Sequence, residues 1–128
     1  MDRKVNNKLN IGIVTTWFER GAAYVSRAYM KTLANKHDVW IYVRGGEEYA
    51  QGNSDWDDVN IWWGKRRRIG VPQYIDWGDF QDWIRQHHID VIIFNEHTGG
   101  FAQNIETIFS CGVDRTLDIK NCSVRFDF

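Results

Sequence analysis

Apolar residues in this chain fall into short, nearly continuous runs, and between those runs their spacing lengthens to a helical period. Ile11, Ile13 and Val14, then Val39-Trp40-Ile41-Tyr42-Val43, then Val59-Asn60-Ile61-Trp62-Trp63, then Asp90-Val91-Ile92-Ile93-Phe94 have the apolar, partly β-branched character of strands buried on both faces. After Gly21 the apolar positions become Val25, Ala28, Tyr29, Thr32 and Leu33, which predicts a helix of roughly four turns ending near Asn35-Lys36-His37, with that stripe against the core. Trp77, Phe80, Trp83, Ile84 and His87 or His88 predict a second helix, with Asp76, Asp79 and Asp82 near its start, where the helix dipole favours acids. Phe101, Ile105, Ile108 and Phe109 mark a third, up to about Ser110. Strands alternating with helices predict an α/β fold: a Rossmann-like parallel sheet with helices on both faces and right-handed crossovers.

The ends are less patterned. Residues 1–9 are polar and basic and read as a flexible lead-in, and residues 10–110 form the domain. Residues 111–128 are a weakly defined tail, readable as one more short strand or as poorly packed chain. The polar stretch from Glu47 to Asp58 is expected to run over the surface.

Composition narrows the function classes. At 128 residues and a net charge of −1, the chain has room for one core and no bulk charge that points to nucleic acid. Cys111 and Cys122 lack any C-x-x-C or histidine at ligand spacing, so free thiols in a cytoplasmic protein are the simplest reading. His87 and His88 are adjacent, about 100° apart on a helix, and cannot share an ion as i, i+4 ligands do, although one is placed to cap the helix end. Asp55, Asp57 and Asp58 lack the glycine and glutamate of a calcium loop. No metal site is expected. The unusual figure is seven tryptophans, for which packing is the first use to consider, with stacking on a sugar ring the alternative at Trp56, Trp62 and Trp63.

The first strand leads into Thr15-Thr16-Trp17-Phe18-Glu19-Arg20-Gly21-Ala22-Ala23, a turn into a helix that opens with small residues. Such a turn at the carboxyl end of a central parallel strand suits a phosphate or carboxylate, provided that Trp17 does not fill it and its amides are unbonded; a plain strand-to-helix connection is the alternative. Ile11 to Arg27, His37 to Tyr42 and Asp90 to Glu96 together resemble the N-terminal, acceptor-side half of GT-B glycosyltransferases of the retaining family-four type.

That resemblance spans residues 10–110 and implies an acceptor domain that works with a C-terminal domain binding a nucleotide-sugar, the donor being a substrate rather than a cofactor. The chain stops before such a domain, so the resemblance implies a truncated enzyme unable to transfer sugar alone. It places Gly21, Ala22 and Ala23 against the donor diphosphate, with Arg20 and Glu19 beside it, and puts Asn95, Glu96 and His97 on a loop facing the cleft. There Glu96 would accept a proton from the acceptor hydroxyl and His97 would hold the sugar. Lys65, Arg66, Arg67 and Arg68, the one block of like charge, would reach anionic lipid headgroups at the membrane periphery or a phosphorylated acceptor, or else form a solvated loop. The partners implied are a sugar or glycan acceptor and the nucleotide-sugar. The rival class is a non-catalytic α/β binding or interaction module.

Overall fold

A computed structural model describes residues 8–65, 76–95, 105–119 and 123–126. Its elements run β1 (Asn10–Thr15), α1 (Gly21–Leu33), β2 (Asp38–Val43), a short 3-10 turn (Glu48–Ala50), β3 (Ile61–Trp63), α2 (Trp77–His87), β4 (Val91–Phe94), α3 (Ile105–Ser110), β5 (Arg115–Asp118) and β6 (Ser123–Phe126). The strands form one sheet in the order β3-β2-β1-β4-β5-β6. β1 to β5 are mutually parallel, and β6 returns antiparallel to β5. The residues after Cys111, left open between a strand and a loose tail, thus supply two strands and extend the sheet.

Strand alternation sorts the core into two layers. Ile11 and Ile13 of β1 face a cluster with Val39, Ile41, Val43, Trp17, Ala23 and Trp56, against which Met30 and Leu33 of α1 pack. Val14 faces the other cluster, with Tyr42, Ile92, Phe94, and Phe80, Trp83 and Ile84 of α2 and Ile108 of α3. Helix α1 therefore covers one face, α2 and α3 the other. This is the arrangement right-handed crossovers require when strand order runs outward from β1 to β3 and then jumps back to β4. The α/β, doubly wound fold expected from the pattern is present.

Gly12 lies on the α2 face, and there its missing side chain matters. A Cβ at this position would fall 2.4 Å from Cη2 of Trp83 and 3.2 Å from Cγ2 of Ile89. The buried Trp83 indole is thus seated directly on the central strand, which lets α2 approach the sheet closely.

Helix α1 corrects one expectation. Val25, Ala28, Tyr29 and Thr32 are exposed, and the buried residues are Ala23 and Ser26, with Met30 and Leu33 partly covered. The larger apolar side chains form the outer stripe because the inner face sits tight on the sheet and admits small residues at its N-terminal half. Lys8 and Leu9 are tied down at the other end of the sheet: Lys8 pairs with Asp38 at 3.3 Å, and the Leu9 amide donates to Nδ1 of His37. At the same end, Asp90 accepts the Asn10 amide at 2.8 Å.

Candidate functional site

The strand order reverses between β1 and β4, so the connections leaving their carboxyl ends diverge to opposite faces and leave a crevice between them. Thr15 at the end of β1, Thr16 just after it, Ser26 of α1 and Asn95 following β4 build its floor. The Asn95 side-chain amide donates to the Ala22 carbonyl at 2.9 Å and to Oγ of Ser26 at 2.7 Å. The Ser26 hydroxyl donates to Oγ1 of Thr15, and the Thr15 hydroxyl donates to the Thr16 carbonyl, each at 2.7 Å. All four residues are buried. Every hydrogen of that chain is committed in one direction, so it clamps the first turn of α1 to the ends of β1 and β4. Asn95, expected to face a ligand, serves as that clamp.

Above this floor lies the start of α1. Arg20 occupies the N-cap position in an extended conformation without a side-chain bond to the helix, and no acid stands in the first turn. Gly21 is exposed, with nothing within 4 Å of where a side chain would project, Ala22 is half-buried, and Ala23 is buried. No carboxylate from the first turn competes for the N–H groups of this turn, whose partial positive charge favours an anion. The buried cluster that holds Ala23 also holds Trp17. That residue is buried in the core, edge-on to Trp56 with centroids 5.3 Å apart, and its Nε1 donates to the Trp56 carbonyl at 2.6 Å.

Thr16 contributes the unexpected feature. It is fully buried, and its Oγ1 has no hydrogen-bond partner. A buried hydroxyl left unbonded costs about 1–3 kcal/mol, and the indole nitrogens of Trp40 and Trp83 are buried without a partner in the same way. The position of Thr16, directly after a central strand and before the helix, is readable from sequence; its lack of a partner is not.

Of the residues assigned from sequence, Arg20, Gly21, Ala22 and Ala23 come together at this turn. Glu96 and His97 lie outside the described residues, as do Arg66, Arg67 and Arg68 of the basic block; Lys65 is described, and its amide donates to Asp79 at 3.0 Å. Among the described residues no three His, Cys, Asp or Glu side chains gather closely enough to hold a metal. Trp56, Trp62 and Trp63 are engaged internally. Trp56 is core; Trp62 Nε1 donates to Asp79 at 3.1 Å, and Trp63 Nε1 to Asp57 at 2.8 Å.

A second polar centre escaped the sequence reading. Asp79, in the first turn of α2, is buried, and its carboxylate accepts from the Tyr42 hydroxyl at 2.8 Å as well as from Trp62 and the Lys65 amide. Burial, then the charge of Asp79, pushes the Tyr42 phenol far above its ordinary value near 10, so it remains a neutral donor. Asp79 thus joins α2 to β2 and to the end of β3. Gly64 permits the close approach, since a Cβ there would fall 2.4 Å from the Val43 carbonyl and 2.8 Å from the Tyr42 hydroxyl. With all these donors on one carboxylate, the centre is structural.

Comparison of the chain with protein-family profiles, with curated proteins and with solved structures finds no match.

Proposed function

We propose that this domain is the acceptor-side half of a nucleotide-sugar-dependent glycosyltransferase, binding the donor's diphosphate at the start of α1. The observation that carries the reading is the uncapped, acid-free helix start at the strand-order reversal. The residue pattern from Ile11 to Arg27 supplies the chemical identity that the crevice alone leaves open. In the reaction, an acceptor hydroxyl attacks the anomeric carbon, the bond from that carbon to the diphosphate oxygen breaks, and the amides of Gly21 to Ala23 stabilise the charge developing on the departing diphosphate. Glu96 takes the hydroxyl proton and His97 holds the sugar; both follow Asn95 directly in the chain. Arg20 pairs with the phosphate oxygens. A donor-binding domain completes the active site. Among the described residues no helix is long and apolar enough to cross a membrane, and a peripheral contact through Lys65 to Arg68 belongs to the same proposal.

Titration of isotopically labelled protein with UDP, GDP and their sugars tests it. A ligand at tenfold excess over its Kd stabilises the fold by about 1.4 kcal/mol, enough for a measurable thermal shift. Amide shifts centred on Gly21 to Ala23, and lost in Gly21→Glu, are expected; silence from every nucleotide at millimolar concentration favours the rival module below, and a chain joined to a donor-binding domain that still transfers no sugar defeats the proposal.

The rival reading, a non-catalytic interaction module, is favoured by a different observation: the aromatic outer face of α1.

A further inference from the structure

The six large hydrophobic side chains exposed among the described residues are not scattered. Tyr24 (49% exposed), Val25 (46%) and Tyr29 (41%) lie on α1, and Tyr49 (72%) and Val59 (93%) on the connection from β2 to β3; only Val124 lies elsewhere. These two segments cover the same face of the sheet and meet at Trp56, whose ring packs edge-on to Tyr24 at 5.4 Å and lies under the Arg27 guanidinium at 4.6 Å.

Their charges are opposite. Residues 20–37 carry four basic side chains, Arg20, Arg27, Lys31 and Lys36, and no acid. Residues 44–59 carry five acids and one base, Arg44, which is buried against Glu47 at 2.9 Å. Within one molecule these patches do not neutralise each other: Arg27 is spent on Trp56, and neither Arg27 nor Lys31 forms an ion pair with Asp55 or Asp58, which are exposed. Between Tyr24, Arg27, Ala28 and Lys31 runs an open groove of about 370 Å³, and on the β2–β3 connection, between Asp58 and Asn60, whose side-chain amide reaches Sδ of Met30 on α1 at 3.5 Å, Val59 projects almost fully into solvent.

We infer that this face pairs two copies of the chain about a two-fold axis, Val59 of each entering the α1 groove of the other. An isologous contact needs a surface that complements itself, with each patch adjacent to its opposite so that both contacts close in one rotation. The basic aromatic groove and the acidic apolar knob, on segments joined at Trp56, satisfy that requirement. Seating Val59 brings Asp58 to the groove rim where Arg27 and Lys31 stand, and the two Tyr rings supply the apolar contact typical of interface centres. The pairing is independent of any ligand at Gly21.

Sedimentation equilibrium of the 128-residue chain tests this. At low salt a dimer with Kd in the micromolar range (~1–100 µM) is expected, weakening as salt is raised to about 0.5 M. Lys31→Glu and Asp58→Lys each weaken it roughly tenfold, because each reverses a contact that the two-fold axis repeats. The double variant K31E/D58K restores pairing to within about threefold of the parent, because the attraction is re-formed with its signs exchanged. Val59→Asp abolishes it, and circular dichroism of all variants matches the parent. A monomer at every concentration and salt, a dimer indifferent to both reversals, or a double variant no better than the singles overturns the inference.

Discussion

Replacing Asp79 by alanine probes what holds α2 to the sheet. The carboxylate accepts from three groups: the Tyr42 hydroxyl, which is buried, the Trp62 indole, which is half-buried, and the Lys65 amide. A hydrogen bond to a charged acceptor contributes about 1.5–3 kcal/mol, and a buried donor left without one costs about 1–3 kcal/mol. Water can reach Trp62 and Lys65 after the substitution, so most of the loss falls on Tyr42, and the total is about 3–5 kcal/mol. For a domain whose whole stability is roughly 5–15 kcal/mol, that is a large share. Tyr42→Phe removes one donor and leaves the carboxylate with two, costing about 1–2 kcal/mol. The double variant Y42F/D79A then costs less than the sum of the singles by about 1–2 kcal/mol, because no orphaned hydroxyl remains. Urea denaturation followed by tryptophan fluorescence measures all three, with an unchanged m-value as the check that the denatured state is the same. An Asp79→Ala variant within about 1 kcal/mol of the parent, or a Tyr42→Phe variant as costly as Asp79→Ala, would refute the view that this carboxylate is the acceptor on which three elements converge.

Gly12→Ala drives a methyl into the Trp83 ring and should cost about 1–3 kcal/mol in the same denaturation assay, whereas Gly21→Ala, facing open space, should cost far less. Trp56→Ala removes a buried ring that touches Trp17, Tyr24 and Arg27; a loss of about 3–5 kcal/mol is expected by thermal or urea unfolding, and one below about 1 kcal/mol would show that the β2–β3 connection is not part of the core. His87 stacks on Trp40 at 4.1 Å, and burial, then the neighbouring His88, lowers its pKa below the ordinary 6.5. The fold therefore favours the neutral ring. Its contribution is complete above pH 6.5 and is lost as pH falls through the lowered folded value, so stability should drop on acidification through this window, and His87→Gln should flatten that part of the profile.

The alternation of strand and helix was legible because it is written locally. Ile11, Ile13 and Val14, or Val91 to Phe94, need only their own neighbours to declare a strand, and Phe80, Trp83 and Ile84 declare a buried helix face by spacing alone. Two elements were not: in β5 (RTLD) and β6 (SVRF) single apolar residues stand among polar and charged ones, and Leu117 and Val124 are brought opposite each other only by the antiparallel pairing. At the candidate site, the turn from Arg20 to Ala23 stood out by its small residues, while the clamp of Asn95, Ser26 and Thr15 joins residues 69 and 11 positions apart and leaves no local trace.

What the amino-acid order determined by itself was the class of the fold and the location of the small-residue turn from Arg20 to Ala23, since both follow from patterns within a dozen residues. Tertiary structure alone decided which face of α1 is buried, and it placed Ala23 and Ser26 inside while Val25 and Tyr29 remain outside. The physical reason is distance: a helix laid close on a central strand has room for a methyl or a hydroxyl, whatever the hydrophobicity of the larger residues beside them. It decided likewise that Asp79, placed for a helix dipole, is the acceptor for Tyr42 and Trp62, because burial makes every donor near a carboxylate seek it.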